Sequence, residues 1–216
     1  MAEVLVVGHV TRDIVGLPQK PDREQPGGSA YYAAIALQSL GNRVRVVSAW
    51  EAEADALLRA AVPGNELDVE VGAASTVFEN RYGPSLRDRT QRVLAEAAPL
   101  TAEHLPPGRF AAACLGPLTA DAFSADLIQS LRSRVSLLAL DVQGYLRAVQ
   151  DQRVRLRPWP EAAQTLTMVD VVKADDQEAM AVTGTVDPVE AAHRMAACGV
   201  REVLVTFADR GSIVLA

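Results

Sequence analysis

Four carboxylates and one pair of glycines are the residues of this chain best placed for chemistry. Asp13 comes soon after a short apolar run, Asp141 closes another, Asp175 and Glu178 open a helical pattern, and Gly27-Gly28 stand just ahead of a helix. In an open parallel sheet, ligands bind beyond the carboxyl ends of the strands, which is where these positions fall. Several carboxylates on one rim suit a polyhydroxylated ligand, whose hydroxyls donate to them, or a magnesium ion. Adjacent glycines let backbone approach such a ligand with no Cβ in the way. A plain structural reading exists beside the chemical one, since Asp175 and Asp187 also have the placement of helix N-caps. Other candidates carry less. His9, His104 and His193 have no partner at metal-ligand spacing, and Ser29 lacks the G-x-S-x-G context of a hydrolase nucleophile. Arg81, Arg87, Arg89 and Arg92 make a local basic cluster, either a solvated face or a contact for an anionic ligand.

The elements that must position these residues follow from periodicity. Glu3–Val7 (EVLVV) is a buried strand ending at Gly8, and the run SAYYAAIALQSLG after Gly28 is a helix closed by Gly41. Residues 43–49 form the next strand and 51–61 an Ala-rich helix, so the unit is βαβ and the sheet parallel, with right-handed crossovers. Residues 75–95 break this rhythm. Two polar strand-like runs around Gly83-Pro84 read as a hairpin standing out of the sheet, a lid element. The βα pattern then resumes, with strands at 110–115, 135–140 and 169–172 and helices at 119–132 and 175–183. Asp187-Pro188 starts a helix running to Cys198, and the chain closes on the strands EVLVT and GSIVL. The last of these has nothing after it to cover it. No G-x-G-x-x-G follows the first strand, which argues against a Rossmann dinucleotide site.

Composition narrows the classes further. The 216 residues suit a single domain with a core large enough to need no staples. With 21 Lys plus Arg against 27 Asp plus Glu, the net charge of −6 disfavours nucleic acid and anionic membranes as partners. No apolar run reaches the length of a membrane span, and the start lacks a basic leader. Cys114 and Cys198, far apart in Ala-rich surroundings, read as buried thiols of a reduced, cytoplasmic protein. Only Lys20 and Lys173 are lysines, which reflects codon usage and says nothing of function.

Taken in order, several motifs carry a resemblance. They are Gly8-His9-Val10-Thr11-Arg12-Asp13, then Pro26-Gly27-Gly28 with its helix ending in Leu40-Gly41, and Thr76-Val77-Phe78-Glu79-Asn80 with Gln91-Arg92 in the hairpin. Asp141-Val142-Gln143-Gly144-Tyr145-Leu146-Arg147, Lys173-Ala174-Asp175-Asp176-Gln177-Glu178 and Thr206-Phe207-Ala208-Asp209-Arg210-Gly211 follow. The series resembles the ribokinase-like (PfkB-type) family of sugar and nucleoside kinases along the whole chain. That resemblance implies an α/β fold, a three-layer sandwich with a mostly parallel sheet and a small β-lid. It implies ATP-dependent phosphorylation of a hydroxyl on a sugar, cyclitol or nucleoside. Asp13, Gly27, Gly28, Tyr32, Asn80, Arg92 and Asp141 would face the acceptor. Asp175, Glu178, Thr206 and Gly211 would face ATP, with Glu178 reaching Mg2+ through water, and lid pairing would make a homodimer.

Three substitutions depart from the family pattern: Tyr32 stands where an Asn is usual, Asp175 replaces an Asn, and Ala208 replaces the first Gly of the phosphate turn. The family's Gly-Ala-Gly-Asp segment, which supplies the catalytic base, has no counterpart here, since no GxGD occurs. The expectation is therefore a domain over 1–216 with its C-terminal part missing and no catalytic residue of its own. The competing reading is a sugar-binding or regulatory module with a kinase-like fold.

Overall fold

The structure, a computed structural model, describes residues 3–85 and 88–216. The apolar run at its start makes β1 (Glu3–Val7), buried on both faces, with Leu5 and Val7 turned to one core and Val6 to another. A polar hairpin follows, β2 (Thr11–Gly16) and β3 (Arg23–Gly27), then α1 (Ser29–Ser39), β4 (Arg43–Glu51), α2 (Asp55–Ala61) and β5 (Glu66–Gly72). A second hairpin is β6 (Val77–Tyr82) and β7 (Arg89–Ala95), after which come β8 (Phe110–Leu115), α3 (Leu127–Arg132) and β9 (Val135–Asp141). A third hairpin, β10 (Arg147–Gln150) and β11 (Arg153–Leu156), precedes α4 (Ala162–Leu166), β12 (Val171–Asp175) and α5 (Asp176–Thr183). The last elements are α6 (Pro188–Ala197), β13 (Glu202–Thr206) and β14 (Ser212–Leu215).

These strands form two sheets. The larger has eight strands in the order β14-β13-β12-β9-β8-β1-β4-β5, parallel throughout except for the antiparallel edge strand β14. Helices cover it as the alternation of side chains requires. Ala30 and Ala34 of α1 and Leu58 of α2 pack with Val6, Val44 and Val46 on one face. On the other face Leu127 and Leu131 of α3, Leu166 of α4, Ala179 of α5 and Met195 of α6 pack with Leu5, Leu138 and Val203. The result is a three-layer α/β sandwich with a large, mostly parallel sheet, as the sequence implies.

The second sheet has six strands, ordered β10-β11-β7-β6-β2-β3. It joins the main body through a small core of Phe78, Val93 and Leu118, with Val149 and Val154 packed against it. The hairpin expected at 75–95 is β6 and β7, yet it is only the middle of this sheet. The flanking strands TRDIVG, REQPG, RAVQ and RVRL escaped notice because they are short, polar and, in β3, interrupted by Pro26.

Other expectations shift in detail. The helix expected at 119–132 contracts to α3, because Leu100 pairs with Phe123 and its backbone bonds to Ala122 and Ser124 hold that stretch out of a helix. The helix expected at 51–61 starts as a 3-10 turn, Ala52–Ala54. Strand β5 was not foreseen, and β12 begins two residues late and extends to Asp175. The closing strand is half covered, with Ile213 and Leu215 packed on the core while Val214 is 65% exposed. Cys114 and Cys198 are free thiols, each partly rather than fully buried. Among the described residues no helix is long and apolar enough to cross a membrane.

Candidate functional site

The second sheet turns one face toward the main body, and register decides which residues lie on it. Asp13 of β2 is opposite Gln25 of β3 and Phe78 of β6, and Phe78 is opposite Val93 of β7. Residues in register share a face, and Phe78 and Val93 are buried against Leu118. Asp13 therefore faces inward. Thr11 Oγ1 donates to Asp13 Oδ1 at 2.7 Å. Burial pushes the Asp13 carboxyl above the ordinary range, while the Thr11 hydrogen bond and the charge of Arg89 pull it back.

The two glycines explain themselves sterically. A Cβ on Gly27 would lie 2.5 Å from Asp13 Oδ2, and one on Gly28 would run into the carbonyl oxygen of His9. Gly28 also has φ 87°, a left-handed value that other residues resist. Gly27 thus makes room for Asp13, and Gly28 lets the chain pass over His9 into α1. His9 itself is buried, its Nε2 donating to the Ala98 carbonyl at 2.9 Å, and burial lowers its pKa. This is a structural histidine, as its isolation in the sequence implies.

Tyr32, one turn into α1, is 59% exposed and meets Tyr31 edge-on at 4.9 Å between ring centroids. Its phenol is raised first by burial and then by the nearby charge of Asp13, so the ring stands beside that carboxylate and outside the core. Asn80 lies two residues beyond Phe78 on the same inward face, is buried, and accepts from Gln91 Nε2 at 3.0 Å.

Arg92 departs from expectation. It is opposite Glu79, on the outer face, where it pairs with Glu79 at 3.3 Å and bonds Gln152. The inward residues of β7 are Arg89, which the sequence offers only as one of a basic cluster, and Gln91, which it does not place in the site. The alternation Phe78, Asn80, Tyr82 against Val93, Gln91, Arg89 was the available signal. Of the basic cluster, Arg81 also pairs outward, with Asp22 at 2.6 Å, and Arg87 lies outside the described residues.

A second group forms at the carboxyl ends of the main strands. Lys173 is opposite Asp141, and Asp175 opposite Thr206. Lys173 Nζ sits 3.2 Å from Asp141 and 3.8 Å from Glu178. Asp141 Oδ1 also accepts from the Gln143 backbone at 3.0 Å. Asp175 and Glu178 make a capping box for α5: Glu178 N donates to Asp175 Oδ1 at 2.7 Å, and Asp175 N to Glu178 Oε2 at 2.8 Å. Burial is the main force raising the Glu178 carboxyl, and Lys173 opposes it. Among the described residues no three His, Cys, Asp or Glu side chains converge as direct metal ligands. Each of Asp175 and Glu178 keeps one oxygen outside the box, a donor set that fits magnesium through water molecules only.

Beyond β13, the Phe207 backbone donates to the Gly211 carbonyl at 2.8 Å and Arg210 pairs with Asp176 at 3.0 Å. Ala208 has φ 52°, the backbone conformation of the glycine that the resemblance leads one to expect there. Gly211 has φ 93° with open space around its α-carbon, so backbone is accessible at this turn.

Between the two groups lies Arg147, half-buried at the start of β10. Burial lowers its pKa, the charge of Glu178 opposes that, Arg89 reinforces it, and Asp141 and Asp175 oppose it again. The segment leading to Arg147 is braced by Tyr145, which stacks on Trp159 at 4.5 Å and 4° between planes. A cleft of about 160 Å³ opens beside Asp141 and Lys173, with Ser29 and Gly116 on its wall and an otherwise apolar lining that includes Val6, Cys114 and Val171. The structure thus brings Asp13, Gly27, Gly28, Tyr32 and Asn80 together on one side. Asp141, Asp175, Glu178 and Thr206 gather on the other, with Gly211 in the loop after Thr206.

No protein-family model matches the chain, and no curated protein sequence matches it. Solved structures do. A pyrophosphate-dependent kinase in the ribokinase family, in a sulfate complex, is 29% identical with a TM-score of 0.87, over 98% of this chain and 75% of that one. A pyrophosphate-dependent kinase in the ribokinase family, complexed with a pyrophosphate analog and myo-inositol, is 28% identical with a TM-score of 0.85 and the same coverage. Ribokinase from Arabidopsis thaliana, complexed with ribose and ATP, shares the fold at 17% identity and a TM-score of 0.73, over 99% of this chain and 74% of that one.

Proposed function

We propose that this chain, whose fold is ribokinase-like, binds a cyclitol or sugar through Asp13 and serves phosphoryl transfer to one of its hydroxyls. The carrying observation is the seating of Asp13. A partly buried carboxylate, held by Thr11 and walled by Gly27, faces inward beside Asn80. Such a group accepts hydrogen bonds from hydroxyls and fixes which one points toward the donor. Tyr32 supplies an apolar ring for the acceptor's C–H face, in place of the amide usual in the family. The similarity to an inositol-bound structure at 28% identity supports a cyclitol as the first ligand to test.

On the donor side, Thr206 and the turn to Gly211 would hold phosphate oxygens, and Asp175 and Glu178 would reach magnesium through water. Magnesium, when bound, neutralises phosphate charge and aligns the leaving group. ATP is the donor that the sequence resemblance implies. Pyrophosphate is the alternative, favoured by the pyrophosphate-dependent structures at 28–29% identity. In either case the acceptor oxygen bonds to the terminal phosphorus while that atom's bond to the bridging oxygen breaks, and the acceptor proton needs a base. The sequence has no GxGD segment to provide one. The second reading is a module that binds the acceptor through the same residues without transferring phosphate.

Calorimetry with myo-inositol, ribose and fructose tests the acceptor site. One of these ligands should bind, and Asp13→Ala should abolish its binding while the fold persists. Unchanged affinity in the variant removes Asp13 from the site. Turnover assayed with ATP and with pyrophosphate separates the two donors and the two readings. A homodimer through the second sheet belongs to the same proposal, and light scattering that finds only monomer at micromolar concentration removes it.

A further inference from the structure

We propose that Arg89 and Arg147 form an anion site that holds the terminal phosphate of the donor between the acceptor carboxylate and the donor-side carboxylates. The proposal deepens the reading above and rests on it for the donor's identity, though not for the existence of the site.

Both guanidiniums start strands of the second sheet, and both lie on its inward face. Arg89 is opposite Tyr82, two residues beyond Asn80. Arg147 is two residues before Val149, which packs on Phe78 and Val93. The antiparallel register of β11 is fixed by Arg147 opposite Leu156 and Arg153 opposite Arg92. Extended by three residues, that register would set Arg89 level with Leu156, two strand spacings or roughly 10 Å from Arg147. Long side chains converging from such positions can grip one tetrahedral oxyanion.

Ion pairing separates them from three other arginines of the second sheet. Arg12, Arg81 and Arg92 are all tied up in ion pairs on the outer face. Among the described residues, neither the Arg89 nor the Arg147 guanidinium has a hydrogen-bond or ion-pair partner. Arg147 is half-buried, and only the charges of Glu178, Asp141 and Asp175, none of them bonded to it, offset the desolvation of its guanidinium, while Arg89 is exposed. The two cations lie within electrostatic reach of each other, which adds repulsion. An anion seated between them removes both penalties, and the guanidinium fork fits phosphate oxygens in pairs. Arg89 feels Asp13 on one side, and Arg147 feels Glu178, Asp141 and Asp175 on the other, so the anion would lie between acceptor and donor groups.

The unmodified chain allows the test. Arginine labelling with phenylglyoxal, read by mass spectrometry, should modify Arg89 and Arg147, and inorganic pyrophosphate should slow both by about five-fold or more while Arg81 and Arg92 are unaffected. Calorimetry with pyrophosphate should show affinity reduced about ten-fold or more in Arg147→Met and in Arg89→Met, with Arg147→Lys intermediate. Labelling that pyrophosphate does not slow, or affinity unchanged in both Met variants, overturns the anion site. Myo-inositol binding by the unmodified chain is a separate readout. Its absence alongside protected arginines fails the acceptor reading and leaves the anion site standing, and the reverse pattern does the opposite.

Discussion

Asp13 combines a cost to the fold with a use at the site. Its proton is held more tightly in the folded chain than in the unfolded one, because burial disfavours the charged form. The sign follows from linkage: stability present at low pH is lost as pH rises through the folded pKa. Asp13→Asn keeps an acceptor for Thr11 and removes the buried charge. It should raise the thermal midpoint at pH 8 by about 1–2 °C while weakening acceptor binding about ten-fold or more. Calorimetric melting and ligand titration of the same sample would check both. A variant that loses stability and keeps affinity contradicts the assignment. The glycines behave differently. Gly28→Ala meets the His9 carbonyl at a left-handed φ and should cost about 3 kcal/mol in urea unfolding. Ala208→Gly relieves the same kind of strain at φ 52° and should gain about 1 kcal/mol. That Ala208 adopts the conformation of the missing glycine shows the turn to be set by its neighbours, not by its own residue type.

Among the elements, helix ends were legible and polar strands were not. Asp187 caps α6 by accepting from Val189 N at 2.8 Å, and Gly184 closes α5 at φ 68°, both as capping chemistry dictates. Asp187→Ala should therefore cost about 1 kcal/mol, measured by chemical denaturation. Capping also explains why Asp175 and Glu178 look the same whether they serve the helix or a ligand. Asp175→Asn would preserve the cap, so any change in pyrophosphate affinity with an unchanged melting midpoint isolates the charge. The buried parallel strands announced themselves by apolar runs, whereas β2, β3, β10 and β11 carry no such run. Without them, the register of the second sheet could not be read. One residue of parity then separated Gln91, bonded to Asn80, from Arg92 on the opposite face.

At the scale of the whole molecule, the two sheets differ in how they are held. The main sheet is sandwiched between helices, while the second rests on Phe78, Val93, Leu118 and two valines. Local stability follows the buried apolar contact available. Backbone amides of β6, β7 and β11 should exchange with solvent about a hundred-fold faster than those of β1, β8 and β9, as resolved by hydrogen exchange. Acceptor binding should narrow that gap. Acidification loosens the body itself. His9 is buried with a lowered pKa, so it contributes stability that is lost as pH falls below about 6.5. The melting midpoint should drop through that range, and His9→Gln should flatten the profile.

The stacked pair Tyr145 and Trp159 has a practical consequence. Trp50 is fully buried in the other core, so Trp50→Phe leaves Trp159 as the single indole. Its ring is pressed on Tyr145, two residues from Arg147 along the chain. An oxyanion that draws in Arg147 should shift that stack, and the indole emission with it. The expected signal is an optical gauge of the oxyanion site, read in a cuvette without a label.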